Sequence, residues 1–377
     1  MKLFLHIGTE KTGTSSVQKF FRANREALAR IGILYPVTPG NHNHTGLAMA
    51  AEGLQRRGPL RKSLGLKTDE QIEEHRRKLK DGFKAELDTG SYHTVVMSGE
   101  HCSSRLLEDS EVAWLKDWLS PLFDEITIVL YIRRQDDYLL STYSTSIKTG
   151  ATHALRMPNE RSMQMRYNHW DLLSRWVRVF GREHIVCRKF ERAALKSGDI
   201  VDDFLDICGI DPAGYSRPQD ANESLDAESL EFLRLFNAHV PRFEGGGINL
   251  SRNNIVTLLS GISNGPLITL PPEDLAAFMK LFEDSNRRVA IEYFGGARDG
   301  DGDPLFSPPS DKRARTRHAG LTVDRAVEIA AYLWQRKQEQ FERVAERARS
   351  NKAAARAAGT KPGGLKPVKG KQPAESS

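Results

Sequence analysis

A short hydrophobic strand, Lys2–Leu5, runs into His6-Ile7-Gly8-Thr9-Glu10-Lys11-Thr12-Gly13-Thr14-Ser15-Ser16 and then into a helical pattern. Few folds accommodate that order. A strand that breaks into a loop of Gly, Thr and Lys and opens a helix gathers unpaired backbone N–H groups and the positive end of a helix dipole at one spot. Gly8 and Gly13 let the backbone curl close to an anion, and Lys11 adds a mobile point charge. The stretch predicts a loop that binds phosphate or sulfate.

The spacing narrows the chemistry. The loop of nucleotide triphosphatases reads G-x-x-x-x-G-K-[ST]. Gly8 and Gly13 keep the glycine spacing, but Thr14 stands at the lysine position and Lys11 lies two residues before Gly13. That displacement argues against ATP or GTP hydrolysis with a magnesium ion held by Ser or Thr.

A second constellation follows Ile126–Ile132, a continuous apolar, β-branched run suited to a buried parallel strand. It ends in Arg133-Arg134-Gln135-Asp136-Asp137-Tyr138-Leu139-Leu140-Ser141. An arginine at a strand's carboxyl end and a serine in the next helix can grip one phosphate from two sides. Ligands of open α/β folds bind at that edge of the sheet.

Together the two stretches resemble the phosphate motifs of sulfotransferases that use 3′-phosphoadenosine 5′-phosphosulfate (PAPS). The first is similar to their 5′-phosphosulfate loop. In the second, Arg133, Asp137 and Ser141 keep the family's Arg, plus-four Asp and plus-eight Ser. Arg134 departs from the usual Arg-Asn pair. The resemblance implies that Arg133 and Ser141 hold the 3′-phosphate, and that Lys11, Thr12, Gly13, Thr14, Ser15 and Ser16 hold the 5′-phosphosulfate. Weaker likenesses are the strand Ile185–Glu191, the amphipathic helix Asp199–Cys208 stopped by Gly209, and the helix within Phe282–Gly295. The fold implied is a P-loop-type, three-layer α/β domain over 1–306, with a central parallel sheet and helical insertions. A linker over 307–320, a C-terminal helix over 321–349 and a disordered basic tail over 350–377 are expected to follow.

Sulfuryl transfer needs in-line geometry and charge stabilisation on the leaving side. Lys11 is placed to neutralise the bridging oxygen. Glu100 follows the short buried strand Thr94–Met97 and so is expected at the same sheet edge, as the base that takes the acceptor's proton. Family members acting on sugars and tyrosine resemble it in using glutamate. Small-molecule enzymes use histidine, which makes His101 the alternative base, since imidazole titrates near neutral pH. No metal is expected.

The formal charge of +6 is local: residues 347–377 carry eight Lys/Arg and one Glu, leaving the other 346 residues at about −1. The body is therefore not a nucleic-acid surface, and the tail cannot build a core. Three cysteines without metal spacing suggest a reducing compartment. The chain has no apolar stretch long enough for a membrane span. The expectation is a cytoplasmic enzyme whose acceptor is a carbohydrate, a glycolipid or a small molecule. The segments Asn41–Gly58 (with His42, His44 and two arginines), Thr149–Arg166 and 241–270 are candidate acceptor walls or lids. Thr14–Arg30 reads as one helix, and the C-terminal helix reads as packing on the body or on a second subunit. Two rival readings remain: a kinase or nucleotide hydrolase on the same loop, and a catalytically inactive binding scaffold.

Overall fold

The computed structural model describes residues 1–218, 224–244, 247–296, 305–308, 314–317 and 320–357. Five strands, β1 (Lys2–Gly8), β2 (Ile33–Leu34), β3 (Thr94–Ser98), β4 (Glu125–Ile132) and β5 (Ile185–Lys189), form a parallel sheet in the order β2-β3-β1-β4-β5. Parallel neighbours need crossovers, and helices supply them. α1 (Thr14–Ala23) and α2 (Arg25–Arg30) follow β1; α3 (Thr45–Ala51), α4 (Pro59–Ser63) and α5 (Asp69–Leu87) follow β2. α6 (His101–Arg105) and α7 (Asp109–Leu119) lead to β4, while α8 (Gln135–Lys148), α9 (Glu160–Tyr167) and α10 (His169–Phe180) lead to β5. α11 (Ile200–Cys208), α12 (Ala227–His239), α13 (Ile255–Ser260), α14 (Pro272–Lys280), α15 (Glu283–Phe294) and α16 (Val323–Ala357) complete the helices.

Strand residues alternate between two apolar layers, as a sheet covered on both faces requires. Leu3, Leu5, Ile7, Val95, Met97, Ile128 and Leu130 face the layer of α3, α5, α7 and α10. Val96, Val129 and Tyr131 face Phe20 and Phe21 of α1 and Phe204 of α11. β1 lies at the centre, with Leu5 opposite both Met97 and Ile128. The carboxyl ends of β1, β3 and β4 therefore open side by side, which is the edge where the three sequence motifs end.

The structure departs from the expected elements at three places. The helix expected over Thr14–Arg30 is two, because the backbone at Asn24 turns out of helical geometry, to φ −109° and ψ +12°, where its side-chain amide is engaged elsewhere. That amide donates to the Phe20 and Ser216 carbonyls and accepts from the Ser216 N–H, stitching a distant segment into the break. The helix expected to end at residue 349 continues to Ala357, so residues 350–357, assigned to the tail, are helical; residues 358–377 lie outside the described residues. Part of the expected linker is structured as well. Arg315–Thr316 forms a strand, β7, paired with β6 (Leu267–Ile268).

Apolar residues within 211–270 serve a separate small core. There Leu230 and Leu233 of α12 and Leu258 and Leu259 of α13 pack on Tyr143 and Ile147 of α8 and on Ile329 and Leu333 of α16. Beyond that contact α16 exposes Trp334, Phe341 and Val344. Among the described residues no helix is long and apolar enough to cross a membrane.

Candidate active site

The loop after β1 is built from unusual backbone. Gly8 has φ +113° and Gly13 φ +75°, both in the left-handed region. At Gly8 a Cβ would lie 2.9 Å from the Ser103 hydroxyl and 3.2 Å from the Glu100 carbonyl, so only glycine lets this loop close on the turn after β3. Lys11 is also left-handed, at φ +67°, a conformation that costs a non-glycine residue about 1–2 kcal/mol. The loop is tied to β4: the Thr9 N–H and hydroxyl both donate to the Tyr131 carbonyl, at 2.8 and 3.1 Å.

α1 starts at Thr14 with Gly13 as its cap, no side chain capping it and no acid in its first turn. The positive end of its dipole therefore meets no acid of its own first turn, which favours anion capture. Of the residues expected to hold the phosphosulfate, Thr12 needs correction as a side-chain ligand. It is fully buried, and its hydroxyl donates to the Thr9 carbonyl at 2.6 Å. It shapes the loop from within and leaves only backbone to offer. Thr14 is buried and Ser15 exposed at the start of the helix.

Arg133 emerges from β4 beside this loop and donates to the Lys11 carbonyl at 2.9 Å. Burial is the main cause that lowers its pKa. Lys11 is pushed down too, first by burial and then by Arg133, against the opposing pull of Glu100 and Glu10. The structure thus brings together Lys11, Arg133 and Glu100, three of the residues singled out from the sequence. Ser141 and Asp137 lie one turn apart on α8 and share a face. Asp137 is paired with Arg315 at 2.6 Å.

Glu100 ends the turn after β3. Gln18 of α1, a buried residue, donates through Nε2 to Glu100 Oε2 at 2.5 Å and to Ser98 Oγ at 3.2 Å. His101, the other candidate base, opens α6, and its buried Nδ1 has no hydrogen-bond partner among the described residues. Among the described residues no hydrogen bond joins it to Lys11 or Arg133.

Three fully buried histidines frame this edge. His6 Nδ1 lies 2.9 Å from Ser98 Oγ; His44 Nδ1 accepts from the Ser98 N–H at 2.9 Å; His169 Nε2 donates to the Arg133 carbonyl at 2.8 Å. Burial lowers their pKa values to about 3, 4 and 4 respectively. Each is therefore neutral in the fold and would be protonated in the unfolded chain below about pH 6.5. Their contribution is complete above that pH and is lost as the pH falls toward 4. Together they predict a loss of about 3–4 kcal/mol between pH 6 and pH 5. A thermal melt followed across that window checks it: the midpoint should fall by several degrees, and an unchanged midpoint would contradict the buried neutral assignment.

His44 also corrects an expectation. The stretch 41–58 is framework rather than an open acceptor wall. The second ring nitrogen of His44 meets the Pro36 carbonyl at 3.0 Å, Arg56 pairs with Glu111 at 2.6 Å, and Arg57 pairs with Asp69. His42 meets Arg22 at the surface. The segment Thr149–Arg166, by contrast, does reach the site, since Arg166 lies 3.8 Å from the Glu10 carboxylate.

Four site residues were missed from the sequence: Gln18, Lys148, His169 and Arg315. Lys148 had a signal. It stands two turns after Ser141 on the same stripe of α8, and burial, then Lys11, lowers its pKa. Gln18, too, lies one turn into the helix that opens at Thr14. His169 and Arg315 reach the site through tertiary contacts that no local pattern announces.

The chain matches no family model. It is 28% identical over 176 residues to an uncharacterized protein of Archaeoglobus fulgidus, covering 45% of this chain and 46% of that protein. The chain thus matches about half the length of that relative. Among solved structures, a sulfotransferase from Alicyclobacillus acidocaldarius is 17% identical with a TM-score of 0.36, covering 67% of this chain and 94% of its own. The sulfotransferase domain of the Synechococcus PCC 7002 olefin synthase is 12% identical with a TM-score of 0.26, covering 72% and 96%. Both likenesses are loose; what this site can do follows from its own side chains.

Proposed function

We propose that the protein is a PAPS-dependent sulfotransferase. One observation supports this reading above the rest: Lys11 and Arg133, two mutually repelling cations, are held together in a half-buried loop at an uncapped helix start. Two cations held this close favour a further anion between them. In this reading the 5′-phosphosulfate lies on the loop between Lys11 and Ser16, and the 3′-phosphate lies against Arg133 and Ser141.

The acceptor's hydroxyl oxygen attacks sulfur and the bond from sulfur to the bridging oxygen breaks, so that its electron pair stays on the departing 5′-phosphate. Lys11 stabilises that charge. Glu100 takes the proton. Gln18 fixes one carboxylate oxygen, while the other makes no described hydrogen bond and is the one assigned the proton in this reading. The acceptor is a carbohydrate, a glycolipid or another hydroxyl compound, and the reaction is placed in the cytoplasm, where the donor would be available.

The test is calorimetric titration with adenosine 3′,5′-bisphosphate against AMP and ATP with magnesium. Selective binding of the bisphosphate is expected; preference for magnesium ATP would sink the reading in favour of a kinase. Glu100→Gln should lower kcat by about 10²–10⁴ with bisphosphate affinity unchanged, and His101→Asn should stay within a few-fold of wild type. The reverse pattern would transfer the base to His101.

A further inference from the structure

At the end of α8 remote from Arg133, an open cavity of about 330 Å³ lies against Lys148. Its lining contains Lys148, Arg242 and Arg252, with the amides of Asn249 and Asn253, and no carboxylate. Arg252 is only 8% exposed, yet it has no acidic partner among the described residues; one of its N–H groups meets the Val240 carbonyl at 3.1 Å. Arg242 gives one N–H to the Thr149 carbonyl at 3.2 Å and likewise meets no described carboxylate. A buried guanidinium is ordinarily paired or fully hydrogen-bonded: the buried Arg76 pairs with Glu73 and the buried Arg61 donates to four backbone carbonyls, whereas one such bond is described for Arg252.

The turn that ends α8 brings the two together. Gly150 has φ +110°, and a Cβ there would lie 2.9 Å from Arg242 Cβ and 3.6 Å from an Arg252 terminal nitrogen. Burial, and then Arg242 beside it, lowers the Arg252 pKa. Lys148, which lines the cavity, also stands within electrostatic reach of Lys11. An arginine pair offers forked donors that fit a planar or tetrahedral oxyanion, and the volume suits a compound the size of a sugar.

We infer that the acceptor is itself an anion: a hydroxyl compound bearing a carboxylate or a phosphate, which Arg242 and Arg252 clasp so that its hydroxyl reaches toward Lys11. The identity of that occupant as acceptor rests on the transfer reading above, whereas the anion site stands on the cavity alone.

The experiment uses the full chain saturated with adenosine 3′,5′-bisphosphate, so that the donor loop is filled. Matched pairs are then titrated: D-glucuronate against D-glucose, D-glucose 6-phosphate against D-glucose, and 4-hydroxyphenylacetate against its amide. In at least one pair the anion should bind ten-fold or more tightly than its neutral partner. Arg242→Gln, an exposed position, should abolish that preference while leaving bisphosphate affinity unchanged. Arg252→Gln should do the same if it folds, and Arg242→Gln decides the matter if it does not. Equal or tighter binding of every neutral partner, no binding by any anion, or an anion preference that survives Arg242→Gln would overturn the inference. If the bisphosphate fails to bind but the anion preference and its loss in Arg242→Gln remain, the transfer reading falls and the anion site stands.

Discussion

Arg133→Ala should weaken adenosine 3′,5′-bisphosphate binding by about a hundredfold or more. Losing one partner of a buried, hydrogen-bonded charge pair costs roughly 2–5 kcal/mol, and the guanidinium here has two tasks. In the proposed reading it grips the 3′-phosphate, and it pins the loop after β1 through the Lys11 carbonyl at 2.9 Å. AMP, which lacks the 3′-phosphate, separates the two. If Arg133 only pins the loop, AMP and the bisphosphate weaken equally. If it also grips the phosphate, the bisphosphate loses far more. Arg133→Lys should recover charge without the fork and lie between. Titration calorimetry on the three proteins reads all of this, and a bisphosphate affinity unchanged in Arg133→Ala would remove the 3′-phosphate from this position.

Lys11 should show the opposite split. Its cation is needed most when the bridging oxygen takes on charge, so Lys11→Met should lower kcat by about 10²–10⁴ and change ground-state nucleotide affinity by much less. The backbone adds a second handle. Lys11 is left-handed at φ +67°, so Lys11→Gly should raise unfolding stability by about 1 kcal/mol while losing the same catalysis. A more stable protein that transfers nothing would show that the strain serves the reaction. Single-turnover kinetics with a denaturant melt measures both, and a glycine variant that keeps its turnover would remove Lys11 from the leaving side.

Much of this arrangement was legible in the sequence because its signals are local. The strand-loop-helix at Gly8–Ser16, the run ending at Arg133 and the short strand before Glu100 each carry their pattern within about a dozen residues. Parallel-sheet geometry then places all three at one edge. The illegible parts are those whose cause lies far along the chain. Nothing near Asn24 announces that Ser216 will bind its side chain and break the helix. Nothing near Arg315 points to Asp137. His44 read as part of an acceptor wall because polarity suggests access to the site, whereas two hydrogen bonds make its burial tolerable. The Thr12 hydroxyl read as a ligand by residue type alone, although the loop's own Thr9 carbonyl claims it.

The central position of β1 has a consequence for how the chain acquires its function. Both neighbours of β1 come later in the chain: Leu3 must find Val95 on one side and Ile126 on the other. Closing a loop of that length costs about 4 kcal/mol before any contact is returned, and such nonlocal pairing slows folding. The anion loop takes its shape from β4, through the Tyr131 carbonyl and Arg133. A nascent chain therefore carries the complete loop sequence for more than a hundred residues of synthesis without a binding site. In the proposed reading nucleotide can bind only after the sheet has zipped, so it is expected to slow unfolding and leave the folding rate unchanged.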